Sequence, residues 1–199
     1  MTITTYSELK TAIGNFYNRN DLSSRLDEFI DLCEAEMQRK IKLLEFETTG
    51  TVAVTSGSGT LPTGFIGART LSWDGSPDRI LQYVTPDRLE RLNAADPSYV
   101  NYYTITGSTI KFANDTDGTL NITYMARFTP LSDSATSNAI LTNHPAAYLY
   151  GSMVHAAVYC KDVEGATSYK ALFLDEIDQI NRDNQDRKYA GASLQVRVG

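Results

Sequence analysis

Cysteine and histidine are nearly missing from this chain of 199 residues, with two of each. Cys33 and Cys160 both fall on apolar faces of expected helices, which reads as two reduced core thiols rather than a disulfide framework. His144 and His155 stand in no metal-ligand spacing with those cysteines, so no metal and no cofactor are expected. Their ordinary readings are a residue at a helix N-terminus and a packed polar group. No stretch approaches the ~18 consecutive apolar residues of a membrane span. The opening Met1–Glu8 has neither a basic region nor an apolar one, so no secretory leader is expected and Asn121-Ile-Thr is not expected to carry a glycan.

Catalytic signatures are missing too. There is no phosphate-binding Gly-x-x-x-x-Gly-Lys loop, no Gly-x-Gly-x-x-Gly and no nucleophile elbow. Asn114-Asp-Thr-Asp-Gly118 lacks the glutamate of a calcium loop and reads as a turn. Asp175 and Asp178 share a helix face away from Phe173 and Ile177, as solvated residues do, and no His or Cys stands near Asp175, Glu176 and Asp178 to divide acid and base roles. The chain is therefore not expected to be an enzyme. A net charge of -6 argues against a surface built to grip nucleic acid, though not against one along which DNA slides.

What is present is ordinary globular material, 42% hydrophobic and 21% charged. Apolar periodicity predicts helices over Tyr6–Tyr17, with Thr5 or Ser7 as cap, and over Leu22–Leu44. From about Glu47 the pattern becomes strand-like: Thr48–Thr55, a turn at Ser56–Gly59, Phe65–Trp73, Arg79–Val84, a short helix over 86–93, then a meander of Tyr99–Thr106, Thr109–Ala113 and Thr119–Met125. A polar stretch, Thr129–Asn143, holds one helical turn at Ile140 and Leu141. Two helices follow. Pro145–Lys161 is rich in small residues (Ala146, Ala147, Gly151, Ser152, Ala156, Ala157), and Ala166–Asp186 places Tyr169, Leu172, Phe173, Glu176, Ile177 and Ile180 on one stripe.

The expected fold is α+β: a four-helix bundle of two N-terminal and two C-terminal helices, a small antiparallel β-rich insert and an extended C-terminal arm. The expected segments are 1–46 and 134–188 for the bundle, 47–133 for the insert and 189–199 for the arm. In the arm Leu194, Val196 and Val198 alternate with Gln195 and Arg197. That strand-like period has no second strand after it, so the arm, from Tyr189 onward, is expected to pair with another molecule. Tyr99, Tyr102, Tyr103 and Tyr124 are candidates for a stacking or sugar-binding platform, against the plainer reading of core or interface.

Three stretches carry a resemblance: Tyr6–Arg39, Gly118–Asp133 and Asn143–Met153. Together they resemble head-to-tail adaptor (connector) proteins of tailed bacteriophages, of the short-tailed adaptor type. The resemblance implies a structural virion protein that forms a ring, with twelve copies usual, at the neck between capsid and tail. It implies portal protein and tail or nozzle proteins as partners, double-stranded DNA passing without sequence-specific binding, no membrane, and host cytoplasm as the place of assembly. The C-terminal arm, Tyr189 and Leu194 to Val198, would dock on the portal. Asp175, Asp178, Arg182, Arg187 and Lys188 are candidates to face the channel or a neighbouring subunit, with the charged face of Leu22–Leu44 an equal candidate for the channel wall. The alternative is a tail or receptor-contacting module that binds through its β-insert.

Overall fold

The computed structural model describes residues 3–19, 21–41, 46–74, 81–95, 101–113 and 117–189. The chain divides into two compact units, Met1–Glu45 with Phe128–Gly199, and Phe46–Arg127.

In the first unit α1 (Tyr6–Tyr17) begins at a capping box: the Thr5 hydroxyl accepts from the Glu8 N–H, and the Glu8 carboxylate accepts from the Thr5 N–H. Asn18 ends it in the left-handed region that Asn tolerates. A 3-10 turn, Ser23–Arg25, leads into α2 (Leu26–Lys40), which buries Leu26, Phe29, Ile30, Cys33 and Met37 along one side. A short α4 (Ala139–Asn143) is capped by Asn138, whose side chain accepts from the Leu141 N–H. Then come α5 (Pro145–Tyr159), with proline in its first turn, and α6 (Val163–Tyr189).

α5 is the hub of this unit. Nine of its residues are buried, Ala147 to Leu149, Gly151 to Val154, Ala156 and Ala157, which cover almost the whole circumference. It packs against α1, α2, α4 and α6. Close approach needs small side chains. At Gly151 a β-carbon would collide with Cys33 Sγ and lie 2.8 Å from a Phe173 ring carbon, so α2 and α6 meet α5 at one glycine.

A buried carboxylate supplies the second tie. Glu34 on α2 accepts from the Tyr148 hydroxyl of α5 at 2.7 Å and from the Leu131 N–H at 2.8 Å. Burial raises its pKa, and these two donors pull the other way. Asn138 donates to both the Tyr148 hydroxyl and the Thr129 carbonyl, and the Tyr6 N–H donates to the Thr136 carbonyl. The polar stretch before α4 is therefore stitched to the helices through its backbone.

The second unit is a seven-stranded sheet of β1 (Glu47–Thr55), β2 (Ser58–Thr60), β3 (Phe65–Trp73), β4 (Gln82–Tyr83), β5 (Tyr102–Thr106), β6 (Thr109–Phe112) and β7 (Gly118–Ala126). Their order is β3-β7-β1-β2-β6-β5-β4. β7 lies between β1 and β3 along nearly its full length, from Glu47 opposite Met125 to Val54 opposite Gly118 on one side. β4 and β5 are parallel, joined through α3 (Pro86–Ala95). One core of Val52, Val54, Trp73, Ile110, Phe112, Leu120 and Ile122 fills the sheet, with the Trp73 and Phe112 rings 4.7 Å apart.

The expected four-helix bundle with a small antiparallel insert is therefore incorrect. The fold is α+β, but its sheet is a curled, mixed half-barrel of seven strands with its own core, and the described residues hold six helices rather than four. A bundle helix buries one stripe, whereas α5 buries nearly its entire surface and takes four helices around it. The meander fails because a period of two fixes which face of a strand is buried and not which strand lies beside it.

Gly151→Ala should lower the thermal midpoint. Overpacking costs about 1–3 kcal/mol, more than the roughly 1 kcal/mol that alanine gains over glycine within a helix. A raised midpoint would show that Cys33 and Phe173 have room to move. Glu34→Ala strands two donors at about 1–3 kcal/mol each, read as a fall in the urea midpoint. Glu34→Gln, which keeps an acceptor for Leu131, should recover most of the loss.

Candidate interaction surface

α6 has 27 residues and is roughly 40 Å long at ~1.5 Å per residue. It is held by a narrow stripe of Phe173, Ile177 and Ile180, all buried. Leu172, expected on that stripe, is 45% exposed. It sits one residue, about 100° of helical turn, before Phe173 and so points away from the core. The outer face carries Leu172, Asp175, Asp178, Arg182, Asp183 and Asp186, all exposed. None of these charged side chains has an ion-pair partner among the described residues.

The predicted site residues divide in two. Asp175, Asp178, Arg182 and Arg187 are exposed on α6, and Lys188 lies in its last turn. Tyr189, expected to open the arm, is the final residue of the helix. Leu194, Gln195, Val196, Arg197 and Val198 lie outside the described residues.

A second feature was not anticipated. Where α5 turns into α6, a cleft of about 550 Å³ is lined by Val154, Val158, Val163 and Ala166, with Glu36 and Lys170 at its side. The turn is fixed by Asp162, which accepts from the Gly165 N–H at 2.9 Å and from the Tyr17 hydroxyl at 3.1 Å. Lys161 takes the left-handed backbone at φ 59. Burial opposes ionisation of Glu36, yet its pairs with Lys170 and Lys40 hold its pKa below the usual carboxylate range.

Beside this cleft Val158 is 63%, Tyr159 55% and Val163 78% exposed, and Leu32 is 53% exposed. Leu32 falls three residues after Phe29 and four before Glu36, on an exposed face of α2. Phe29 packs on Tyr159 with ring centroids 5.6 Å apart. Val158 and Val163 line the cleft, and Tyr159 and Leu32 are exposed on α5 and α2. Sequence periodicity passes over these residues because they lie off the core stripes of their helices.

Other expectations meet mixed outcomes. Cys33 is buried, but Cys160 ends α5 half-buried, with an Arg19 guanidinium nitrogen 3.6 Å from its sulfur, and is not a core thiol. The tyrosines form no single platform. Tyr124 belongs to the sheet core, Tyr102 packs on the cluster of Val84, Leu89 and Ala113, and Tyr103 packs on Phe112. Tyr99 lies outside the described residues. No group of metal-ligating side chains gathers among the described residues, and no helix there is long and apolar enough to cross a membrane.

His155 faces the cleft half-buried, and its Nε2 has no hydrogen-bond partner among the described residues. Burial lowers its pKa from 6.5; Glu36 opposes that shift and Lys170 adds to it. The unfolded chain then binds a proton more readily than the folded one. Stability from this group is complete above the ordinary value and is lost as pH falls from there through the folded value. His155→Gln should flatten the change in thermal midpoint between about pH 7.5 and pH 5.5, and an NMR titration of His155 should show a midpoint below 6.5. A midpoint at or above that value would contradict the buried neutral ring.

Compared with known proteins, the chain is matched over residues 4–197 by a family model described as SU10 adaptor protein. No curated protein matches it.

Proposed function

The chain belongs to the SU10 adaptor protein family, a family of bacteriophage adaptors, and from that membership we propose that it is a head-to-tail adaptor of the virion neck. Copies assemble as a ring, twelve being the expected number, between the portal and the tail or nozzle proteins of a short-tailed virion. DNA passes through the ring without sequence-specific binding. The protein acts by assembly in the host cytoplasm and has no turnover chemistry. The observation that carries this reading is a family match that spans almost the entire chain.

Several features support it. The long α6 is held by three buried side chains, worth about 1.5–3 kcal/mol each, so most of its surface is free for partners. The exposed acidic residues suit passage of DNA, since a wall that neutralised phosphates would release counterions and hold the genome. The C-terminal arm follows α6 directly, and Leu194, Val196 and Val198 have the period of a strand that adds to a partner's sheet edge. A tail or receptor-contacting module built on the sheet has less behind it. Of its tyrosines Tyr83 is exposed, packed edge-on against Tyr103 at 5.8 Å.

Removal of Leu194–Gly199 is expected to leave a folded protein, with an unchanged circular dichroism spectrum, that no longer co-sediments with purified portal rings. Undiminished portal binding by the truncated chain would contradict docking through the arm.

A further inference from the structure

Among the described residues Glu34 is the one buried carboxylate, 5% exposed, and no cation there pairs with it. Both of its donors reach a single oxygen: Oε1 accepts from the Tyr148 hydroxyl of α5 and from the Leu131 N–H. Leu131, itself buried, belongs to the strap Phe128–Asn138, where the chain re-enters the helical unit. The strap is tied down again by the Asn138 side chain on the Thr129 carbonyl, by the Tyr6 N–H on the Thr136 carbonyl and by Lys10 on Asp133. Of these ties only the one at Glu34 involves a buried ionisable group.

The groups around this carboxyl offer it no positive charge. α2 brings Asp31, one turn earlier, and the buried Cys33 thiol. α5 brings the Tyr148 phenol, whose ionisation the carboxylate opposes. On α1 the Tyr6 hydroxyl is turned to Asp27, and Lys10 is taken by Asp27 and Asp133. Lys40 and Lys170 are taken by Glu36, and α4 has no ionisable side chain.

We propose that Glu34 is a proton-operated latch for the strap, closed when a proton sits on Oε2 and loosened when that proton leaves. Protonation at Oε2 leaves Oε1 a carbonyl acceptor, so both hydrogen bonds persist in the neutral form. The anion keeps them too, but a buried charge without a cation is costly, and water relieves that cost by reaching the carboxylate once Leu131 lifts away. Burial outweighs the two donors, and Asp31 adds to it, so the pKa of Glu34 lies above the ordinary carboxylate value. The closed strap therefore binds the proton more readily than the open or unfolded chain. Its hold is complete below the ordinary value and is lost as pH rises through the raised one. His155 works in the reverse sense, its contribution being lost as pH falls. The latch does not rest on the adaptor reading, since it concerns when the strap opens and not what the chain holds.

Hydrogen exchange at the Leu131 amide, followed by NMR in the full chain and corrected for the intrinsic rate, reads the latch directly. Between about pH 4.5 and about pH 8 protection should fall several-fold in the unaltered chain. Glu34→Gln keeps an Oε1 acceptor and has no proton to lose, so its protection should stay level over the same range. Any contribution from His155 would appear equally in both chains. An NMR titration of the Glu34 carboxyl carbon should show a midpoint above 4.5. The proposal is overturned if protection at Leu131 is level in the unaltered chain, if Glu34→Gln loses it to the same extent, or if the carboxyl midpoint lies at or below 4.5. Should the glutamine variant not fold, the titration and the protection profile of the unaltered chain decide between these outcomes.

Discussion

One missing side chain organises the helical unit. At Gly151 the α5 backbone comes against Cys33 of α2 and Phe173 of α6, and no larger residue fits there without displacing one of them. Interiors packed at crystal density leave little room for such displacement. Close approach on two sides lets α5 be covered almost completely by the helices around it. The Glu34–Tyr148 hydrogen bond then fixes α2 and α5 in register, and the Leu131 N–H on the same carboxylate brings in the chain before α4.

That arrangement decides which surfaces remain for partners. α5 is consumed by the core. α6 touches it through Phe173, Ile177 and Ile180 and leaves its acidic outer face to solvent. The turn between them is anchored by Asp162 and exposes Val158, Tyr159 and Val163 beside the cleft. An adaptor needs this combination of a fixed hub with long free faces, because its work is to hold several partners in a fixed geometry.

Local structure was largely legible in the sequence. The α1 cap at Thr5, proline in the first turn of α5, the hairpin turn after Thr55 and the run of small residues around Gly151 each have a local chemical cause, and each stands where that cause puts it. Non-local choices were not legible. Alternation in Leu120, Ile122 and Tyr124 marks an inward face but is silent on β7 pairing with both β1 and β3. Small residues in α5 signalled close packing, yet the same residues suit a bundle member and a central post. The cleft escaped because Val158 and Val163 look like ordinary apolar residues until α5 and α6 are placed together. Amphipathicity placed Asp175 and Asp178 on an exposed face of α6, where they stand, and the arm residues Leu194 to Val198 fall outside the described residues.

The account centres on a protein that works by standing between two parts of a virion. Electron cryo-microscopy of the intact neck tests this most directly. The account predicts density for this chain repeated around the axis directly beneath the portal. Density for this chain at the tail tip or as isolated copies, with the portal in contact with another protein, would contradict it.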